Sequence, residues 1–335
     1  MSKRYIVTGG GGFVGKAIIK ALHAQGHAVV SISRGHYADL AQLGVEQHQI
    51  DIGADSETWQ YVCKGATGVF HTAAKVDMWG KFADFYRTNV QGTKHLLDAC
   101  VRHGVQNFVF TSSPSVIHDG SNLRGVDESY PYPKHFHAPY PQTKALAEQM
   151  VREANSDTAL KTVSLRPHLI WGPDDTNLIP TVVERAKAGR LTRVGDGTNR
   201  VDVTFIDDCV SAHLLAMQAL EDGNKRVFGK VYFISQGEPV VMWKWIDQIL
   251  DAHNLSPVTR SISKPLASVL ARGFELIASL GGVCGKTWKP LLTRFLVSEM
   301  ASNHYFSIEA AKNDFGFVPA YSIAEAMEKT FGSRE

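Results

Sequence analysis

The chain has 335 residues and a formal net charge of +2, enough length for one large α/β domain or a domain with a smaller companion. So slight a charge leaves no polyelectrolyte footprint, and nucleic acid is not an expected partner. Cys63, Cys100, Cys209 and Cys284 are scattered without a C-x-x-C pair or metal-ligand spacing, so reduced thiols and no metal site are expected. No apolar run is long enough to span a bilayer. The chain opens on strand-forming residues with no signal-peptide pattern ahead of them, and a cytoplasmic location is expected.

Tyr5-Ile6-Val7-Thr8 reads as a short strand running into Gly9-Gly10-Gly11-Gly12-Phe13-Val14-Gly15, then into a helical pattern at Val14, Ala17, Ile18, Ile19, Ala21 and Leu22. Gly9, Gly12 and Gly15 are spaced for a sharp turn, close approach of backbone to a pyrophosphate, and close packing of helix on strand. The helix N-terminus adds free N–H groups and a positive dipole end. A dinucleotide site is therefore expected here rather than an ordinary Gly-rich turn. The first helix ends near Gly26, and His27 to Ser33 forms a second strand. The end of that strand faces the adenosine ribose. An acidic residue there would repel a 2′-phosphate, whereas this chain has Ser33 and Arg34. A guanidinium beside a small hydroxyl favours NADP over NAD; the alternative is that Arg34 is a solvated loop residue. Gln49 to Ile52 reads as the end of a third strand, with Asp51 placed to accept from the adenine amino group.

Gly68 to Ala74 reads as a buried strand ending in Ala73 and Ala74, small enough for a nicotinamide ribose to lie against the backbone. Lys75 comes next at the carboxyl edge, where ligands bind in this architecture; it is either a partner for an acidic substrate or solvent-facing. Tyr86 to Thr93 begins a helix that continues through Leu96, Leu97 and Cys100, and Asn89 within it is either a satisfied core amide or a support for the site. Asn107 to Phe110 is the next strand. It ends in the hydroxyl cluster Thr111-Ser112-Ser113-Pro114-Ser115. In Tyr140-Pro141-Gln142-Thr143-Lys144, Pro141 suits a first helical turn, and one turn separates phenol from ammonium. A nearby cation is expected to lower the tyrosine pKa from its usual ~10 towards neutrality, making it a usable general acid or base.

Taken in order, Thr8 to Gly15, Asp51, Asn89-Val-x-Gly-Thr, Ser113 and Tyr140-x-x-x-Lys144 resemble the short-chain dehydrogenase/reductases of the extended type. Leu165-Arg166-Pro167-His168-Leu169-Ile170-Trp171-Gly172-Pro173 resembles the segment where that family begins its substrate region. The resemblance implies an α/β fold, a Rossmann doubly wound parallel sheet with a smaller C-terminal α/β substrate-binding region. Residues 1–165 would form the dinucleotide domain, completed by parts of 200–235, and 166–335 mainly the substrate region. It further implies that Phe13, Val14, Ile52 and Pro167 join the glycines, Ser33, Arg34, Asp51, Ala73 and Ala74 around NADP. Tyr140 and Lys144 would both catalyse and touch the cofactor. Ser113 would bind the developing alkoxide, Asn89 would support the site, and Lys75, Ser115 and His168 would meet the substrate. A homodimer is implied as well.

Gly195-Asp196-Gly197 through Phe205-Ile206-Asp207-Asp208, then Ala212-His213, resembles the 3β-hydroxysteroid and sterol-carboxylate dehydrogenases; His213 itself reads best as a core histidine. Val231 to Ser235 is a late strand, and Pro239 to Leu250 a helix. From Pro265 to Met300, Leu, Ala and Gly are broken by Arg272, Glu275, Lys286, Lys289 and Arg294. The charges argue against a spanning helix and leave a cover over a greasy substrate, a surface for membrane or partner, or plain core helices. Trp288 to Val297, His304 to Pro319, Ala73-Ala74-Lys75 and Trp79-Gly80 are similar to bacterial 2-alkyl-3-oxoalkanoate reductases of long-chain olefin biosynthesis. That similarity implies NADPH-dependent reduction of a long-chain 2-alkyl-3-oxoalkanoate, beside a pathway hydrolase and a lactone-forming synthetase. The rivals are oxidation of a 3β-hydroxysteroid or sterol-4-carboxylate, and a non-catalytic nucleotide sensor.

Overall fold

Along the first strand, side chains alternate between two cores. Tyr5 and Val7 enter one apolar cluster and Ile6 the other, and the same alternation separates Val29 from Val30 and Ile32, and Val109 from Phe108 and Phe110. A strand buried on both faces needs helices on both, which is the demand that parallel sheets meet. In the computed structural model, which describes residues 2–54, 59–283 and 288–332, seven strands form one parallel sheet. They are β1 (Arg4–Thr8), β2 (Ala28–Ser33), β3 (Glu46–Gln49), β4 (Gly68–His71), β5 (Asn107–Thr111), β6 (Lys161–Pro167) and β7 (Lys230–Ile234). Their order is β7-β6-β5-β4-β1-β2-β3, with the chain reversing direction across the sheet between β1 and β4.

On one face lie α1 (Phe13–Ala24) and the helix Ile206–Glu221, which supply Ile18, Ile19, Leu22, Val210 and Ala216 to the first core. On the other lie α2 (Gly92–His103) and α3 (Pro139–Glu153), which supply Leu96, Leu97, Ala147 and Val151 to the second. Each fully buried Ile, Leu or Val is worth about 1.5–3 kcal/mol, so the sheet is anchored from both sides. Helix α1 stops at Gly26, which has φ of 78°, while the next N–H, of His27, reaches back to the Leu22 carbonyl. That is the left-handed glycine stop that relieves the last carbonyls.

Beyond β6, and in one segment before it, the chain builds smaller pieces. A four-stranded sheet sets Val240–Val241, Arg200–Val201, His304–Phe306 and Leu123–Val126 side by side. Helices α4 (Lys264–Val283) and α5 (Arg294–Ala301) pack on each other at that end. Among the described residues no helix is long and apolar enough to cross a membrane.

Of the boundaries that differ from those expected, three bear on the site. The third strand ends at Gln49, because Ile50, Asp51 and Ile52 turn out of the ladder and the Asp51 carboxylate accepts from the Gly53 N–H at 3.0 Å. The fourth ends at His71, not Ala74, since the Thr72 hydroxyl turns back to the Thr8 carbonyl at 2.7 Å. The helix expected from Tyr86 begins earlier, at Phe82, and passes through a π-helical turn at Tyr86–Gln91 before α2. Cys63, Cys100 and Cys209 are buried free thiols, whereas Cys284 and Lys286 lie outside the described residues.

Candidate active site

The glycine turn leads from β1 into α1 at the carboxyl edge of the sheet. Gly9 has φ of 71°, and a Cβ on it would fall 2.9 Å from the Ala73 backbone. A Cβ on Gly15 would fall 2.3 Å from the Gly9 carbonyl. The turn thus tolerates no side chain at either position. Gly12 precedes α1 without a side-chain cap, so the first-turn N–H groups near Phe13 and Val14 are left for a ligand. Ser33 and Arg34 close the end of β2, where the Ser33 hydroxyl donates to the Gly35 carbonyl at 2.8 Å and Arg34 is exposed. Between them and the turn, the ring of Tyr37 covers Gly11, where a Cβ would fall 1.8 Å from the ring. Nothing in the local pattern singled out Tyr37. Asp51 reaches Arg87 at 3.0 Å, so both of its carboxylate oxygens already have partners. Ile52 and Pro167 are buried, and Ala73 and Ala74 are partly exposed at the end of β4.

Ser113, Ser115 and Tyr140 meet past the end of β5. The Ser115 hydroxyl donates to Ser113 Oγ at 2.9 Å, and the Ser113 hydroxyl bears on the Tyr140 phenol. Ser113 caps the short 3₁₀ turn Pro114–Ile117, accepting from the Ser115 N–H at 3.2 Å, which fixes its orientation. Tyr140 stands in the first turn of α3 between Pro139 and Pro141, positions where a missing N–H costs nothing. Burial pushes its phenol up to about 12; the Ser113 hydrogen bond pulls it down and the Glu299 carboxylate adds to the rise.

Lys144 is buried one turn later, with its ammonium on the Thr111 carbonyl at 2.5 Å and 4.0 Å over the Phe110 ring. Burial pushes it down to about 7, against the pull of Glu148. The expected lowering of the tyrosine pKa by this lysine is therefore corrected. The ammonium spends its charge on a backbone carbonyl and an aromatic face, and desolvation of the phenol wins. Beneath it, His71 is buried between Thr8 Oγ1 at 2.6 Å and Thr93 Oγ1 at 2.9 Å, and desolvation holds it down to about 3.

Asn89 lies in the π-helical turn. Its Oδ1 accepts from the Lys75 N–H at 2.7 Å and its Nδ2 donates to the Lys75 carbonyl at 3.2 Å and to Thr143 Oγ1 at 3.0 Å. It thus ties the β4 edge to α3. The Lys75 ammonium itself lies 5.2 Å over the Phe85 ring and is half-buried. Glu148, one turn beyond Lys144, takes both Nε and Nη2 of Arg166, the Nε contact at 2.9 Å, and the Tyr132 hydroxyl at 2.5 Å. This buried pair clamps α3 to β6. His213 is fully buried, its ring between the Thr111 hydroxyl at 2.8 Å and the Cys209 carbonyl at 2.7 Å.

His168 stands among other imidazoles. It donates from Nε2 to His304 Nδ1 at 2.6 Å, because His304 Nε2 must donate to the Glu299 carbonyl at 2.7 Å and so leaves Nδ1 as acceptor. His118 pairs with Ser298 Oγ at 2.7 Å and stands 3.6 Å from the Glu299 carboxylate. Burial holds both His118 and His168 below the usual imidazole range. No sequence pattern marked His118, Glu299 or His304 as site residues, since His118 lies far along the chain from the other two and only the folded chain brings it to them.

A family model for the 3-beta hydroxysteroid dehydrogenase/isomerase family matches residues 6–262. A 2-alkyl-3-oxoalkanoate reductase of Stenotrophomonas maltophilia (strain K279a) is 42% identical, over 97% of this chain and 98% of its own length. The 3beta-hydroxysteroid-dehydrogenase/decarboxylase isoform 1 of Arabidopsis thaliana is 33% identical, over 98% of this chain and 79% of its own. Among solved structures, UDP-glucuronic acid 4-epimerase from Bacillus cereus in complex with NAD superposes with a TM-score of 0.74 at 20% identity, over 98% of this chain and 97% of that one. That last likeness is one of fold.

Proposed function

The chain belongs to the 3-beta hydroxysteroid dehydrogenase/isomerase family, and on that premise we propose that it reduces the C3 ketone of a long-chain 2-alkyl-3-oxoalkanoate to the 3-hydroxy acid, with NADPH, in olefinic hydrocarbon biosynthesis. The placement of Ser113, fixed by Ser115 at the end of β5, beside the buried Tyr140 phenol carries the proposal, because it turns two hydroxyls towards one carbonyl oxygen beside the glycine turn. That turn fits a dinucleotide: it leaves no room for a Cβ at Gly9 or Gly15 and offers an uncapped helix end. Ser33 and Arg34 would hold the 2′-phosphate, and Lys144 the nicotinamide ribose. When bound, the nicotinamide supplies the hydride to C3.

Tyr140 transfers its phenolic proton to the ketone oxygen as negative charge develops there. With its pKa near 12 the phenol is fully protonated at neutral pH, so it enters the reduction loaded as an acid. Ser113, held by Ser115, donates a hydrogen bond to the developing alkoxide, a contribution of the oxyanion-hole kind. Asn89 keeps the Lys75 backbone in place. Lys75, Ser115 and His168 line the substrate's approach, and Lys75 is the cation for its carboxylate. The same proposal takes 1–165 as the dinucleotide domain, 166–335 as mainly the substrate region, and a homodimer working beside the pathway hydrolase and synthetase.

Absorbance at 340 nm tests this with purified protein, a long-chain 2-alkyl-3-hydroxy acid or a 3β-hydroxy sterol, and NADP or NAD. The hydroxy acid replaces the oxo acid, which decarboxylates readily. NADP reduction with the acid alone is the expected result. Turnover of the sterol with NAD would move the protein to the chemistry named for the Arabidopsis relative and make Arg34 a bystander.

A further inference from the structure

Three imidazoles and one carboxylate gather at one place in the interior. His168 follows β6, Glu299 stands on α5, His304 opens the strand His304–Phe306, and His118 ends the 3₁₀ turn that Ser113 begins. All three rings are buried. One nitrogen of His168, one of His304 and one Glu299 oxygen lie within 4.8 Å of one another. Among the described residues no lysine or arginine forms an ion pair with Glu299, whose charged neighbour is His118 at 3.6 Å.

Hydrogen bonding within the cluster does not fully satisfy it. His304 Nε2 donates to the Glu299 carbonyl at 2.7 Å, so its Nδ1 lone pair faces His168 Nε2 at 2.6 Å. A histidine whose one N–H is held by a backbone carbonyl is set to offer its other nitrogen to a metal. His118 spends Nε2 on Ser298 Oγ, and its buried Nδ1 has no hydrogen-bond partner. Few buried polar atoms in a native fold stay idle. A carboxylate set among imidazoles, with no lysine or arginine against it, adds the need for a cation. Ligation asks only for a change of tautomer: the His168 proton moves from Nε2 to Nδ1, and no net proton is lost. Two imidazole nitrogens and a glutamate oxygen are the donor set of open zinc sites, whereas Mg²⁺ and Ca²⁺ take oxygen ligands. The scattered cysteines exclude a thiolate site and do not bear on this one.

We propose that His168, Glu299 and His304 bind one divalent transition-metal ion of the zinc type, with His118 at its margin. The binding does not depend on which substrate is turned over. Three protein ligands leave a coordination position open to water or another oxygen. Glu299 already bears on the Tyr140 phenol, so the ion would set positive charge against the field that Glu299 now exerts there. His118 ties the ion's surroundings to the turn that orients Ser113.

Titration of the chelator-stripped full chain with Zn²⁺, in competition with a chromophoric chelator, tests this without a substrate. One sub-micromolar site per chain is expected, undisturbed by millimolar Mg²⁺. X-ray absorption at the zinc edge should show nitrogen and oxygen at about 2.0–2.1 Å and no sulfur at about 2.3 Å. His304→Gln and Glu299→Gln should each weaken binding by at least about 100-fold, more than loss of a supporting residue around a metal. His48→Gln, which removes the imidazole 2.6 Å from Glu46 at the surface, should leave it unchanged. Glu299→Gln keeps the shape of a partly exposed side chain and decides the matter should His304→Gln fail to fold. Absence of a sub-micromolar site, sulfur in the shell, displacement by Mg²⁺, loss of the site in His48→Gln, or unchanged affinity in Glu299→Gln would each overturn the proposal.

Discussion

The two walls of the candidate site are made differently. The near wall, with Ser113, Ser115, Tyr140 and Lys144, comes from β5 and α3, and its spacings are short-range: a strand end, a 3₁₀ turn and one turn of helix. The far wall, with His118, His168, Glu299 and His304, is gathered from segments far apart in the chain, His118 being held to Ser298 and His168 to His304 by side-chain hydrogen bonds, while His304 reaches the nearby Glu299 carbonyl. The near wall holds the groups that can move a proton. The far wall sets the field in which they move it, since the Glu299 carboxylate bears on Tyr140 while neutral imidazoles surround it.

Substitutions can break this contrast or sharpen it. Tyr140→Phe should lower kcat by about 10³-fold or more with an unchanged melting curve; a loss under about tenfold would remove the near wall from the chemistry. Arg166→Met leaves Glu148 charged and unpaired in the interior and should cost about 3–5 kcal/mol in urea denaturation, showing that the near wall depends on a buried clamp. Ser113→Ala should reduce kcat by about 10²-fold with little change in KM, read by initial rates at saturating substrate. Glu299→Gln should act most gently and only in one direction. Removing that negative charge lowers the phenol from about 12, so more phenolate is present at a given alkaline pH. The oxidation rate should rise at lower pH in a pH–rate profile, while reduction at neutral pH, where the phenol stays protonated, should be unchanged.

Legibility in the sequence divides along the same line. Gly9, Gly12 and Gly15 declare a strand-turn-helix because φ and close packing are local demands. Alternation along Tyr5 to Thr8 and the helical recurrence of Ile18, Ile19 and Leu22 likewise make the sheet and its first helix legible. Tyr140 and Lys144 are legible as a pair, but their electrostatics are not. Spacing places an ammonium one turn from a phenol, and only the folded chain shows the Thr111 carbonyl that takes the ammonium instead. His168 stands out in the sequence without its partners, because His304 arrives on a strand of another sheet. The character of α4 is half legible: its composition shows grease and charge together, and the structure shows that the alanines face in and the leucines out.

The π-helical turn at Tyr86–Gln91 bears on how this chain tolerates insertions and deletions. It carries one more residue than an α-helical path would need. Successive residues are rotated by about 100° around a helix axis, so excising a single residue there would swing Asn89 off the Lys75 backbone while leaving the helix continuous. A deletion of that kind changes no side chain in the catalytic wall and removes no apolar contact from either core. It should nonetheless be harder to accept than many substitutions, because the spare residue is the spacer that sets the angle at which one carboxamide enters the site.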